Sequence, residues 1–397
     1  MIINVLLNFA FLSLFYVSVI HGRFLAPGPP EGLCSAVTIH GFKCKEYTVK
    51  TDDGYILSVQ RIPEGRSGPS GGGISQPRQP VLLQHGIIVD GMTWLMNSPE
   101  QSLAMMLADN GYDVWISNIR GTRFSRRHVI LDPIQPEFWN YTWVDLANHD
   151  LPSVIDFVFK ETGQQMYYVG HSMGTLIALV ALSEGKLENV KSAALLSPIA
   201  YLSHVKSEIV LAAADFFIGE VGETIGVLEF DPNGLEAENL LKVICITINC
   251  EDLVTVLSGQ DCCLNDTTAE NFIANDLQST STKNLVHFAQ NVRNGILSKF
   301  DYGNVYENIA HYGVASPPLY NLTNIPTDFP LFISHGGQDT LSDAEDVALL
   351  LGNLKAHDRD KLQVQFIEQY AHVDFIMALN ANELVYNHII DFFRKHN

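Results

Sequence analysis

Ser172, Asp339 and His372 have the residue types, and the order along the chain, that nucleophilic acyl transfer needs. A serine hydroxyl attacks a carbonyl only if a neighbouring imidazole takes its proton. The imidazole in turn needs a carboxylate to orient it. Ser172 is the centre of Gly170-His171-Ser172-Met173-Gly174. An apolar run, Met166-Tyr167-Tyr168-Val169, precedes this pentapeptide, and the helix-like run from Thr175 to Leu182 follows it. Strand, G-x-S-x-G, helix is the context of a nucleophile elbow. The turn is too tight for flanking side chains, which explains the two glycines.

In a doubly wound sheet, functional side chains lie at the carboxyl ends of strands. The loop Ser334-His335-Gly336-Gly337-Gln338-Asp339 follows one expected strand, and Gln369-Tyr370-Ala371-His372-Val373-Asp374 follows the last. Asp339 is therefore the expected acid and His372 the expected base. His335 is the rival base. Asp374 is the rival acid, but it lies only two residues past His372, awkward for reaching the same ring. An oxyanion hole needs two backbone N–H groups. The expected donors are Met173, after the nucleophile, and Ile87, after His85-Gly86. His85 is expected to hold that loop rather than react.

These residues need a parallel sheet to position them. Glu46–Val49 and Tyr55–Gln60 read as a hairpin around Asp52-Asp53-Gly54. Pro80–Gln84, Tyr112–Ser117, Met166–Val169, Val190–Leu196, Pro330–Ser334 and Leu362–Ile367 read as strands. Helices are expected from Ser98-Pro99-Glu100-Gln101, read as a capped start, to Asn110, then from Leu151 to Phe159, Ala344 to Leu351 and Glu383 to Phe393. Strands alternating with helices imply parallel βαβ units, hence an α/β class. Residues 201–325 break the rhythm and read as an inserted helical cap. The core is then 23–200 plus 326–397. Part of the stretch from about Phe216 to Leu241, rich in glycine and acidic residues, is expected to form a mobile lid. The basic run Asn118 to His128 reads first as a solvated loop. A clamp onto the carboxylates near Asp145 and Asp150 is the alternative.

Lys and Arg number 24 against 44 Asp and Glu, a net charge of −20, so nucleic acid is a poor partner. Residues 1–22 read as a secretory signal, with an uncleaved anchor as the alternative. The six cysteines suit an oxidising compartment. Spacing does not choose among their pairings. Cys34 and Cys44 stand apart and could close a short N-terminal loop. Cys262 and Cys263 are adjacent, which points to Cys245 and Cys250 as their partners. A zinc site is the competing reading, but no histidine lies at ligand spacing, so no metal is expected. Sequons at Asn140, Asn265 and Asn321 are candidate glycosylation sites.

With these residues in place, the chain resembles the acid lipase family of α/β-hydrolases. The matching stretches include Leu83-Gln84-His85-Gly86, Gly111-Tyr112-Asp113-Val114-Trp115, Asn118-Ile119-Arg120-Gly121, the elbow, Asp301-Tyr302-Gly303-Asn304 and Ala371-His372-Val373-Asp374-Phe375. The cysteine-rich insertion looks closest to the plant triacylglycerol lipase 2-like members. The resemblance implies an α/β-hydrolase core with a helical cap and lid, and hydrolysis of neutral lipid esters at a lipid–water interface without a cofactor. It implies Ser172 as nucleophile, Asp339 as acid, His372 as base, and Ile87 and Met173 at the oxyanion positions. Met173 departs from the glutamine of the animal members, a change that a backbone donor survives. A carboxylesterase or sterol esterase on the same core, and a non-enzymatic lipid-binding protein, are the alternatives.

Overall fold

A computed structural model describes residues 32–67, 77–218, 228–235, 237–238, 245 and 252–397, without the side chains of 216–218, 271, 274 and 275. The expected signal, half of the expected lid and Cys250 lie outside the described residues. Leu33–Asn397 forms one compact unit.

Eight strands form the main sheet, in the order β1-β2-β4-β3-β5-β6-β9-β10. They are β1 (Lys45–Lys50), β2 (Ile56–Ile62), β3 (Pro80–Gln84), β4 (Asp113–Ser117), β5 (Met166–His171), β6 (Val190–Leu196), β9 (Leu331–Gly336) and β10 (Leu362–Ile367). Between β6 and β9, a separate antiparallel ribbon pairs β7 (Glu229–Phe230) with β8 (Thr280–Ser281). The hairpin β1–β2 is antiparallel, and β2 runs antiparallel to β4. All the other pairs are parallel.

Alternation along the central strands divides the core in two. Leu82, Trp115, Tyr168, Leu195 and Ile333 pack on one face of the sheet. Val81, Leu83, Val114, Ile116, Val169, Leu196 and Phe332 pack on the other. Both faces are covered by helices, which is why these strands read as continuous apolar runs. The first face takes α2 (Leu151–Thr162) and α3 (Met173–Ser183). The second takes α1 (Leu103–Asp109) and α7 (Asn387–Lys395). Between β6 and β9 the chain adds α4 (Glu208–Ile218) and α5 (Thr282–Asn294). Then α6 (Ala344–Asn353) joins β9 to β10. Among the described residues, no helix is long and apolar enough to cross a membrane.

Helix α1 begins later than the sequence pattern suggests. Ser98 Oγ meets Gln101 Oε1 at 3.1 Å within an isolated turn, and Ser102 is the true cap, accepting from Met105 N. The Ser102 hydroxyl also donates to the Trp94 carbonyl, at 2.6 Å, so tertiary contact fixes the start. The last helix is preceded by a π-helical turn at Asn382–Tyr386.

The basic run is a clamp, not a solvated loop. Arg120 is fully buried and bonds Asp150 and Asp53 at 2.5 and 2.7 Å. Burial works against its charge, but Asp150 and Asp53 hold the guanidinium above its ordinary value. Arg126 pairs with Glu229. Asp145 instead closes a capping box with Thr142. A buried charge stripped of its partner is costly. Arg120→Ala should therefore lower stability by roughly 3–5 kcal/mol, read as a lower urea midpoint at unchanged slope.

The expected Cys34–Cys44 bridge is present. The expected pairing of Cys262 and Cys263 with Cys245 and Cys250 is not: Cys262 and Cys263 are bonded to each other. The chain bends at residues 262–263, which turns two adjacent side chains to one side instead of the opposite sides of an extended segment. Cys245 is also disulfide-bonded.

Candidate active site

The site gathers where strand order reverses. From β3 the chain crosses to β4 on one side and later to β5 on the other, leaving a crevice at their carboxyl ends. Gly86 follows β3 and Ser172 follows β5. A Cβ on Gly86 would stand 3.0 Å from the Ser172 Cβ.

Ser172 has φ 55° and ψ −122°, a region that costs a side-chain-bearing residue about 1–3 kcal/mol. Its surroundings hold it there. Ser172 N donates to the Leu196 carbonyl at 3.1 Å, and the Thr175 hydroxyl donates to the Ser172 carbonyl at 2.6 Å. Both elbow glycines are sterically required. A Cβ on Gly174 would lie 2.5 Å from the Gln84 carbonyl oxygen, and one on Gly170 would lie 2.8 Å from the Gly174 backbone. Strand, elbow and helix thus lock together through backbone approaches that no side chain permits.

Asp339 and His372 meet as expected. The His372 Nδ1 lies 3.0 Å from both Asp339 carboxylate oxygens. Burial pushes the Asp339 carboxyl up. The His372 ring and the N–H groups of Ser342 and Leu341 outweigh it and hold the carboxyl below its ordinary range. An ionised Asp339 makes Nδ1 the donor and leaves Nε2 without a proton on the neutral ring. That Nε2 is buried and has no hydrogen-bond partner among the described residues, Ser172 Oγ included. Contacts of this kind are often long until substrate binds.

The backbone of His372 is also fixed. Its carbonyl accepts from His171 Nε2 at 2.9 Å and from the Ser197 hydroxyl at 3.2 Å. Burial, reinforced by the His372 ring, lowers the His171 pKa to about 3, so His171 stays neutral beside the site.

His85 holds its loop, as expected. Its Nδ1 lies 2.8 Å from the Gly86 carbonyl, and its Nε2 accepts from Ile119 N at 3.1 Å. Burial lowers its pKa to about 4, so the ring is neutral, with the proton on Nδ1. Beyond it, Ile88 has φ 53°, and its carbonyl accepts from Gln278 N at 2.7 Å. The Ile87 and Met173 N–H groups have no acceptor among the described residues. Two unengaged amides beside a serine are what an oxyanion hole requires.

The rivals fall away. His335 is buried against Phe366, and its Nδ1 has no partner among the described residues. Asp374 accepts from Ala371 N at 2.7 Å and Cys262 N at 3.3 Å, not from the His372 ring. Sequence reasoning missed Asp90, Arg123 and Asp276. Arg123 bonds Asp90 at 2.7 Å and Asp276 at 2.9 Å, tying the Ile87–Asp90 loop to the segment before α5. The only sequence signal was the Arg-rich stretch itself. Among the described residues, Asp52, Asp53 and His149 form a group close enough to share a cation. Asp53 is already held by Arg120, and none of the three belongs to this site.

Asp261, beside Asp374, yields a pH prediction. Burial first, then the Asp374 charge, raises its pKa from 3.8 to about 7. The folded state therefore binds a proton that the unfolded chain releases. The stabilisation is complete below 3.8 and lost as pH rises through about 7. Asp261→Asn mimics the protonated form. Its Tm, relative to wild type, should be higher at pH 8 than at pH 5. An equal offset at both values would contradict this assignment.

Comparison with known proteins agrees with this geometry. A family profile described as "alpha/beta hydrolase fold" matches residues 79–378, and one described as "Partial alpha/beta-hydrolase lipase region" matches residues 35–98. The chain is 50% identical to triacylglycerol lipase 2 of Arabidopsis thaliana over 380 residues, 94% of this chain and 91% of that one. It is 35% identical to gastric triacylglycerol lipase of Homo sapiens over 386 residues, 93% of this chain and 94% of that one. Among solved structures, a monoglyceride lipase from Saccharomyces cerevisiae superposes with a TM-score of 0.56 at 16% identity, covering 89% of this chain and 96% of that one. That likeness is one of fold. The chain belongs to the α/β-hydrolase fold family, among the lipases that carry this N-terminal lipase region.

Proposed function

We propose that this chain is a triacylglycerol lipase of the secretory route, released outside the cell or delivered to the vacuole, and that it works through Ser172, His372 and Asp339 without a cofactor. The observation that carries the reading is the joint geometry of two strand ends. A serine is held at φ 55° after β5, and His372 is locked by Nδ1 onto a buried Asp339. The relatives' names supply the substrate class.

In this mechanism Ser172 Oγ attacks the ester carbonyl carbon, and its proton passes to His372 Nε2. The carbonyl oxygen becomes an oxyanion, accepting from the N–H groups of Ile87 and Met173. The imidazolium beside Asp339 gains a charge partner already in position. Collapse of the intermediate breaks the ester C–O bond, and His372 Nε2–H protonates the departing alcohol. Water then repeats the sequence on the acyl-enzyme, releasing fatty acid and restoring the Ser172 hydroxyl. The proposed division of the chain is a core of 23–200 and 326–397 around a cap of 201–325.

The experiment is a rate profile on purified protein. A lipase hydrolyses emulsified long-chain triacylglycerol, and its rate rises when a short-chain ester passes its solubility limit. Smooth saturation through that limit, with no turnover of the emulsion, would favour a carboxylesterase. Sequencing the mature N-terminus tests the secretory route, which expects a start near Arg23.

A further inference from the structure

The rival acid has a different use. Asp374 is fully buried, and its Oδ2 accepts from two N–H groups on separate segments. One is Ala371, three residues earlier, so the bond closes the turn that carries His372. The other is Cys262, in the segment inserted between β6 and β9. Around this point the insertion touches both halves of the acid–base pair. The Ser258 carbonyl accepts from His372 N at 3.1 Å and from Thr340 N, next to Asp339, at 3.3 Å. Gly259, at φ 102°, passes so close to Gln338 that a Cβ would fall 1.8 Å from its carbonyl oxygen. On the far side, the Cys263 carbonyl accepts from Leu379 N at 2.9 Å.

We infer that Asp374 is a positioning residue for His372: by bonding Ala371 N–H and Cys262 N–H together, it braces the base-bearing turn against the inserted segment. Three other contacts fix His372, namely Nδ1 on Asp339, its carbonyl on His171 and Ser197, and its N–H on Ser258. None of them spans the turn from Ala371 to Asp374. Removing the carboxylate also removes its contacts with the Cys262 Sγ, 3.9 Å from Oδ1, and with the Cys263 N–H, both on the inserted segment. The ring would keep its acid but lose its fixed height above Ser172.

The carboxylate acts here as an acceptor of N–H bonds. Among the described residues no cation pairs with it, and burial raises its pKa. An amide oxygen at the same place can accept the same bonds. Asparagine should therefore substitute and alanine should not, which separates positioning from a role as the acid.

This inference rests on the reading of His372 as base. The test compares Asp374→Ala, Asp374→Asn and Ser172→Ala on a soluble short-chain ester, with Tm measured for each. A displacement of the base of about 1 Å costs roughly 10²-fold. Asp374→Ala should lose about that factor in kcat with KM nearly unchanged, and Asp374→Asn should stay within roughly threefold of wild type. Should the alanine variant not fold, Asp374→Ser takes its place, since one short hydroxyl cannot reach both N–H groups. A wild-type kcat in Asp374→Ala, or an equal loss in Asp374→Asn, would overturn the positioning role. An active Ser172→Ala would instead overturn the underlying mechanism. An inert Ser172→Ala beside a fully active Asp374→Ala would overturn the positioning role alone.

Discussion

Ser172→Ala is expected to lower kcat by about 10⁶-fold and to abolish covalent labelling by organophosphates. The loss should come without unfolding. Alanine keeps the Cβ, so the elbow at φ 55° keeps the same strain, and the bonds to Leu196 and Thr175 are made by the Ser172 backbone. Ser172→Gly separates activity from stability further. Glycine adopts positive φ freely, so this variant should be inert yet more stable than wild type by about 1 kcal/mol. Thermal unfolding beside the activity assay checks both. A stable Ser172→Ala that still turns over ester would place the nucleophile elsewhere.

Asp339→Asn should lower kcat by about 10⁴-fold, while Asp374→Asn should change it little. The difference follows from what each carboxylate touches. Asp339 accepts the Nδ1 proton of His372 while Leu341 N and Ser342 N hold its Oδ1 at 2.9 and 2.7 Å. An asparagine there can present its NH₂ to the ring and force the wrong tautomer, placing the imidazole proton on the nitrogen that must accept from serine. Asp374 bonds the backbone N–H groups of Ala371 and Cys262, not the His372 ring, and an amide oxygen serves those N–H groups equally. Steady-state kinetics on the two variants decides the matter. The reverse ranking would exchange the roles of the two aspartates.

Local chemistry that writes itself into residue type was legible from the sequence. The strand β10, Leu362–Ile367, matches residue for residue because its apolar pattern is bounded on both sides. The elbow was legible because only glycine tolerates the 2.5 Å approach of Gly174 to Gln84. What escaped depends on the partner, and a partner distant in sequence leaves no local pattern. Ser98-Pro99 has the signature of a helix start, yet Ser102 wins through its bond to Trp94. Arg120, Arg123 and Arg126 read as a solvated run because carboxylates at Asp53, Asp90, Asp150, Glu229 and Asp276 come from five separate places. The Cys262–Cys263 bond escaped because adjacent side chains in an extended chain point apart, and only the bend at residues 262–263 turns them together.

The most direct test of the central claim is to map the adduct of a long-chain alkyl phosphonate ester on the wild-type protein by peptide mass spectrometry. The phosphorus replaces the ester carbonyl carbon, so the reagent marks whichever oxygen attacks. The account predicts one adduct per chain, on the peptide containing Gly170-His171-Ser172-Met173-Gly174 and localised to Ser172. The adduct should form at a rate that falls sharply in Asp339→Asn. An adduct on any other residue, or labelling of Ser172 at the same rate when Asp339 is changed, would contradict it.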